Sequence, residues 1–500
     1  MARHTAKERY LALTDEQKAI IEHEPIESLI AEAGAGTGKT SVLVQHAQRW
    51  PNYRGLYLSF NAEIAKEAKR RFPSNVQAMT AHSYAYRALG VAKHNGRLVG
   101  KIRRQHLRDA GIDLRNGYMT EDRTLRAVLA AMINYPNDAG TVLKPSHCLL
   151  EGAPQVTRDK MLPFIARILK TFMEYETSGL PFTHDMYLKK LETNGQLAPD
   201  YDYLLVDEAQ DLSPVLVSLV KKSGKPAIIV GDSAQSIYAF KGAVDALSMF
   251  DAKRMPLSQS WRFGAPVDRI ANGILAEVSK PPTWPIRGRP GHITSVELYR
   301  GIAPAKAMLL SRTNSRLFEG LINTQVQFHV AGGFEVLASQ LLSAYALSTG
   351  DRWEVKDALI QSFQNWEEMV EEANENDPEI RRLVQIVKTH GREIHKIIDR
   401  LRTLHCANAK DATIILSTAH KAKGLEAANV VILDDFQTID ELKASRMVGE
   451  LSKTEFDQEC NLKYVAATRA INRLLVSEPL YSEFMGFMNG STALAEEQAA

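Results

Sequence analysis

Ala33-Gly34-Ala35-Gly36-Thr37-Gly38-Lys39-Thr40 joins an apolar stretch, Leu29 to Ala31, to a helical pattern from Ser41 to Trp50. A strand, a glycine-rich turn and a helix in that order can cradle phosphates. The glycines let backbone N–H groups curl around the anion, Lys39 reaches the β and γ oxygens, and Thr40 offers its hydroxyl to Mg²⁺ at a helix N-terminus. Ala33 stands where the pattern more often has Gly, and a small residue still fits. The chemistry implied is binding of a nucleoside triphosphate with Mg²⁺.

Two later segments supply the rest of a hydrolytic centre. Tyr203-Leu204-Leu205-Val206-Asp207-Glu208-Ala209-Gln210-Asp211 is an apolar strand that ends in acids, and such acids belong in the ligand crevice of a parallel sheet. Asp207 is expected in the Mg²⁺ shell opposite Thr40, and Glu208 as the group that takes a proton from the attacking water. After the next apolar run, Gly231 to Ala243 carries Gln235, Tyr238, Phe240 and Lys241. Gln235 is placed to sense the γ-phosphate. The two aromatics offer stacking faces worth about 1 to 3 kcal/mol per base, whatever the base.

Positioning these groups requires parallel strands. β-type runs at Leu56 to Phe60, Tyr203 to Val206, Ala227 to Val230, Thr413 to Leu416, Val430 to Leu433 and Leu474 to Val476 alternate with helical patterns, which predicts an α/β fold with parallel sheets. From Leu89 to about Pro199 the periodicity turns helical, as in Leu125 to Ile133 and Met161 to Tyr175, and reads as an insertion. Phe334 to Ala409 reads as a second one. Its acidic run, Glu367 to Asp377, fits a solvated helix face. Gly490 to Ala500 is small and polar and is expected to fray.

Bulk properties narrow the class. A chain of 500 residues exceeds one ordinary core, and 45% hydrophobic with 24% charged residues is the balance of a water-soluble globular protein. No apolar run is long enough to cross a bilayer, and the basic start, Met1 to Tyr10, lacks the apolar core of a secretory signal. Cys148, Cys406 and Cys460 lie too far apart for a zinc or disulfide pattern. The expected location is cytoplasmic and nucleoid-associated in a prokaryote or virus, and nuclear in a eukaryote. A net charge of +2 neither supports nor excludes a nucleic-acid partner.

The motifs together resemble those of superfamily 1 helicases of the UvrD/Rep type, from about Leu13 to Leu475. Leu13-Thr14-Asp15-Glu16-Gln17 is similar to the family's adenine-reading motif, with Gln17 as reader. Ser59-Phe60-Asn61 and Thr80-Ala81-His82-Ser83 resemble the motifs that touch single-stranded DNA. Ser260-Trp261-Arg262 stands where the family puts an aromatic on adenine and an arginine on the γ-phosphate. Thr418-Ala419-His420-Lys421-Ala422-Lys423-Gly424-Leu425-Glu426 is similar to the fifth motif, with Thr418, His420 and Lys421 toward DNA and Glu426 toward the ribose. Tyr464 to Ala470 resembles the sixth, with Arg469 as arginine finger. Ile64-Ala65, Ala68-Lys69, Thr183-His184-Asp185 and Leu433-Asp434-Asp435-Phe436 most resemble the helicase part of F-box DNA helicases.

The resemblance implies two RecA-like P-loop NTPase domains with parallel sheets, each carrying a helical insertion subdomain. Residues 1–88 with 200–265 would form the first motor domain and 89–199 its insertion. Residues 266–332 with 411–488 would form the second motor domain and 333–410 a short insertion, with 489–500 as tail. It further implies ATP and Mg²⁺ as cofactors, and single-stranded DNA and single-strand/duplex junctions as substrates. Travel would be 3′ to 5′ by a monomer, with possible repair or recombination proteins as partners. No F-box-like segment precedes the motifs, so a ubiquitin-ligase role is not expected, and too little chain follows Arg469 for a nuclease domain. Two alternatives stay open at this point: RNA as the track, and a nucleotide-gated DNA-binding regulator that displaces or recruits proteins without appreciable unwinding.

Overall fold

The computed structural model describes residues 13–59, 62–195, 197–237, 246–375 and 378–497, without the side chains of residues 62, 63, 374, 375, 378 and 490–497. The chain divides into two compact units. One takes in the described part of Met1–Ala33 together with Gly38–Leu257, the other Gly34–Thr37 and Ser258–Ala500.

The first unit is built on strands β1 (Leu29–Ala33), β2 (Gly55–Ser59), β3 (Val76–Thr80), β4 (Tyr203–Val206), β5 (Ala227–Gly231) and β6 (Lys253–Leu257), paired in parallel in the order β3-β2-β4-β5-β1-β6. A parallel sheet is covered on both faces, so its central strands are apolar throughout instead of alternating with polar residues. Successive residues nonetheless feed different cores. Tyr57, Tyr203, Leu205 and Ile228 pack with Val42 and Leu43 of the helix Lys39–Arg49. Leu56, Leu58, Leu204, Val206 and Ile229 pack on the opposite side, in a core continuous with the helices Glu121–Asn137, Gln155–Met173 and His184–Asn194. The helical stretch between β3 and β4 thus shares its core with one face of the sheet.

The second unit repeats the plan with β7 (Ser295–Leu298), β8 (Ala307–Ser311), β9 (Phe328–Val330), β10 (Ile414–Thr418), β11 (Ala427–Ile432) and β12 (Ala470–Val476), all parallel, in the order β7-β12-β11-β8-β10-β9. Between β9 and β10 the helices Phe334–Ser348, Trp366–Glu375, Pro378–His390 and Ile394–Leu404 close around Leu337, Leu341, Leu383 and Ile398. Among the described residues no helix is long and apolar enough to cross a membrane.

Two differences from the sequence reading stand out. The expected frayed tail is helical through Glu497, because the helix Leu480–Glu497 continues over Ala493, Leu494, Ala495 and Glu496. Those residue types have high intrinsic helix propensity, and they outweigh Gly490. The strands β3, β6, β7, β8 and β9 are additional to the six runs read as strands. Four of them, β3, β6, β7 and β9, are edges by the strand order, and β6, with Lys253, Arg254 and Pro256, is largely exposed. An edge strand tolerates Pro and charge and so lacks the apolar signature of a central one.

Candidate phosphate and nucleic-acid site

The helix Lys39–Arg49 begins on Gly38, whose φ of +80° is left-handed backbone and whose position supplies no side-chain cap. The first N–H groups of that helix are therefore directed at whatever occupies the loop, and the helix dipole favours an anion there. Thr40 Oγ1 donates to Asp207 Oδ2 at 2.6 Å, joining residues 167 apart in sequence. This follows from the sheet: β5 lies between β1 and β4, so both carboxyl ends open at the same edge. Tyr57 Oη donates to the same oxygen at 3.0 Å, and the Glu208 N–H donates to Asp207 Oδ1 at 2.9 Å. Burial and the neighbouring Glu208 charge push the Asp207 carboxyl above the usual carboxylate range, while Thr40 and Lys39 act against that. A divalent cation at this position would supply the missing countercharge. The donor set of one hydroxyl and one carboxylate suits Mg²⁺, which keeps several waters and takes few protein ligands.

Glu208 has φ +49° and ψ +42°, the left-handed region in a residue with a Cβ. Such a conformation costs of order 1 to 3 kcal/mol and persists only where surrounding contacts fix it. Here Gln210 Nε2 holds the Glu208 Oε2 at 2.7 Å. Gln235 lies on the neighbouring strand's exit, with Nε2 donating to Asp232 Oδ2 at 2.6 Å. Gln17 forms a reciprocal cap with Thr14 at the start of the helix Asp15–Glu22, and its amide lies 3.7 Å from where a Cβ on Gly38 would sit. The residue expected to read adenine is thus the one that caps this helix. Ser41 Oγ accepts from Arg71 Nη2 at 2.8 Å, which brings a guanidinium beside the first turn of the loop helix.

In the second unit, Arg262 Nε donates to Glu426 Oε2 at 2.7 Å and Nη1 to the Thr468 carbonyl at 3.1 Å. Glu426, expected near a ribose, is an arginine partner here. Arg469 is 1% exposed, its guanidinium held by the carbonyls of Val465 (2.8 Å) and Leu425 (3.3 Å) and by Thr468 Oγ1 (3.1 Å). The loop residues Gly34–Thr37 belong to this unit by their contacts. The Ala35 N–H donates to Tyr464 Oη at 2.8 Å, and the Trp261 N–H to the Gly36 carbonyl at 2.8 Å. Thr37 Oγ1 closes the turn onto the Gly34 carbonyl at 3.0 Å. At Gly36, with φ +74°, a Cβ would stand 2.7 Å from both Arg262 Cβ and Ser260 Oγ, so only glycine fits.

The residues expected to meet DNA are less uniform. Phe60, Asn61, Tyr238, Phe240 and Lys241 lie outside the residues described at side-chain level. Thr80 spends its hydroxyl on the Ser83 N–H, capping the helix Ala81–Ala88, and is nearly buried. His82 is more open and meets Asp185 Oδ1 through Nε2 at 3.1 Å. That contact, ahead of opposing burial, holds the Asp185 carboxyl below the usual range. Thr418 is buried at the end of β10, and its Oγ1 receives the Lys421 N–H at 3.4 Å. Lys421 lies with its stem against Gly332, where a Cβ would come within 2.9 Å of Lys421 Cδ, and burial lowers its ammonium pKa. His420 is half-buried in the same turn.

The family model described as the UvrD/REP helicase N-terminal domain matches residues 13–254, and that of the UvrD-like helicase C-terminal domain matches 305–480. The chain belongs to the UvrD/Rep helicase family. It is 27% identical to the F-box DNA helicase protein 1 of Schizosaccharomyces pombe, over 94% of this chain and 58% of the relative. To the F-box DNA helicase 1 of Gallus gallus it is 28% identical, over 94% and 49%. DNA helicase IV of Escherichia coli is 26% identical over 50% of this chain and 45% of its own length. The chain therefore spans about half the length of the F-box relatives it matches.

Four residues around these sites are given no role by the sequence alone. Tyr57 and Gln210 hold the two acids, Asp185 holds His82, and Arg71 meets Ser41. Only Gln210 and Asp185 sit within segments that the motif pattern singles out.

Proposed function

We propose that the chain is an ATP-dependent, Mg²⁺-requiring single-stranded DNA translocase and DNA helicase. It would move 3′ to 5′ as a monomer on single strands and single-strand/duplex junctions, in repair, recombination or replication. The observation that carries this reading is the Thr40 to Asp207 contact at 2.6 Å, with Glu208 next in line, at the foot of an uncapped glycine-rich helix start. Residues 1–88 with 200–265 and 266–332 with 411–488 would be the two motor domains, and 89–199 and 333–410 their insertions.

Lys39 and the first N–H groups of the loop helix would hold the β- and γ-phosphates. Mg²⁺, held by Thr40 and Asp207, would supply charge neutralisation on the phosphate oxygens. Glu208 takes the proton from the attacking water, and Gln235 orients toward the γ-phosphate. Arg262 and Arg469 would offset the charge that develops there, a role worth about 10³ to 10⁵ in turnover in nucleotide hydrolases. Arg469 must turn from its carbonyl partners to do so. His82 and Lys421 would contact phosphates along the track, giving sequence-independent binding that weakens with salt.

The test is ATP turnover by the purified protein alone, with single-stranded DNA and with single-stranded RNA, using Lys39→Ala as the blank. Strong stimulation by DNA supports the coupled motor, and unwinding of a tailed duplex then follows. Turnover indifferent to nucleic acid, or retained in Lys39→Ala, rejects the reading.

A further inference from the structure

Gln210 is fully buried in the short turn Ala209–Asp211 that follows Glu208. Both ends of its amide are engaged. Nε2 donates to Glu208 Oε2 at 2.7 Å, and Oε1 accepts the Asp232 N–H at 2.9 Å. The amide orientation follows from its partners: an ionised carboxylate only accepts and a backbone N–H only donates. Asp232 in turn accepts from the Ala234 N–H through Oδ1 at 3.1 Å and from Gln235 Nε2 through Oδ2 at 2.6 Å. One side chain thus ties the acid at the end of β4 to the segment leaving β5.

The surroundings are shaped for that side chain. A Cβ on Gly231 would stand 2.7 Å from Gln210 Oε1, so the glycine leaves the space that the amide fills. Asparagine would fall one methylene, about 1.5 Å, short of spanning both partners. Glu208 meanwhile sits in left-handed backbone, φ +49°, which needs neighbouring contacts to hold it.

We propose that Gln210 is a positioning residue that fixes the Glu208 carboxylate for proton abstraction and ties it to Asp232 and Gln235, so that it governs turnover and leaves nucleotide binding unchanged. This rests on the ATP-hydrolase reading above. Gln210→Glu is isosteric, keeps an acceptor toward Asp232 and sets a negative charge against Glu208. Its steady-state ATP turnover and its affinity for a fluorescent ATP analogue would be measured in the full chain, alone and combined with Glu208→Gln.

The expected result is a fall in kcat of about 10²-fold, within the range a positioned general base supplies. KM and analogue affinity stay within about twofold, and no further fall occurs in the Glu208→Gln background, since residues acting through one group are not additive. A folded Gln210→Glu with unchanged kcat, or an equal loss in both backgrounds, overturns the proposal. Gln210→Met repeats the test with an uncharged chain of similar length. If neither variant folds, Gln210 is a stability residue and the proposal is refuted. A wild type without ATP turnover instead refutes the hydrolase reading beneath it.

Discussion

Glu192 is 1% exposed on the helix His184–Asn194, yet it carries a carboxylate. It receives Lys189 Nζ at 2.9 Å, Ser218 Oγ at 2.7 Å and the Lys222 ammonium, while Lys189 also donates to the carbonyls of Asp138 and Gly140. These bonds pin the helical insertion to the helix Pro214–Lys222 of the first unit. Replacing Glu192 by Gln keeps the volume and leaves Lys189 buried without its countercharge. The magnitude follows from linkage. Although burial alone would raise it, the ammonium and hydroxyl donors hold the Glu192 carboxyl down from 4.5 to about 2. At 1.36 kcal/mol per unit that is about 3 kcal/mol, and Lys222 is half exposed, so about 2 to 3 kcal/mol is expected after screening. Since the folded value is depressed, this stability is fully present above about pH 4.5 and is lost as pH falls toward 2. By pH 3 about 2 kcal/mol of it has gone. Urea unfolding of wild type and Glu192→Gln at pH 7 and at pH 3 reads the difference directly. For a unit of this size the variant should also melt about 5 to 10 °C lower at pH 7. Equal stability at pH 7, or a gap between the two proteins that fails to narrow on acidification, would refute the argument. ATP turnover below the melting transition should be unaffected, because Glu192 touches none of the phosphate-site residues.

Gly36→Ala forces a Cβ to within 2.7 Å of Arg262 Cβ and Ser260 Oγ at a positive φ, and should weaken affinity for a fluorescent ATP analogue at least tenfold, read by equilibrium titration. His46, on the buried face of the loop helix, is held neutral by burial, its pKa lowered from 6.5 to about 4. The unfolded chain binds that proton more readily, so the stability at stake is present above pH 6.5 and is lost as pH falls toward 4. Denaturant midpoints for His46→Gln should therefore decline less between pH 7 and pH 5 than those of the wild type.

The parts of this molecule legible in its sequence are those in which one contiguous segment carries both the chemistry and the geometry. The loop Gly34 to Thr40 and the strand-end acids Asp207 and Glu208 are of that kind: the residue types set the expected chemistry and the flanking apolar runs set the element. The 2.6 Å approach of Thr40 to Asp207 was accessible too, because parallel strands bring their carboxyl ends to one edge. Tyr57 was not. It reads as one more apolar residue of β2, and only the strand pairing Tyr57 with Leu205 brings its hydroxyl to the acid that follows. The edge strands β3, β6, β7 and β9 were hidden for a related reason, since a strand paired on one side needs no continuous apolar run.

The same logic explains why the supporting residues differ in kind from the motif residues. A side chain that touches phosphate must be one of a few types, whereas one that holds it needs only a donor or an acceptor at the right place. Tyr57, Gln210 and Asp185 each meet that weaker requirement by different means: a phenol, an amide and a carboxylate. Their identities are set by distance across the fold, as the length of Gln210 between Glu208 and Asp232 illustrates. A change at such a position alters how well an unchanged catalytic group is aimed. Its signature is a fall in turnover at constant nucleotide affinity, and loss at Lys39 should differ from it by removing binding and turnover together.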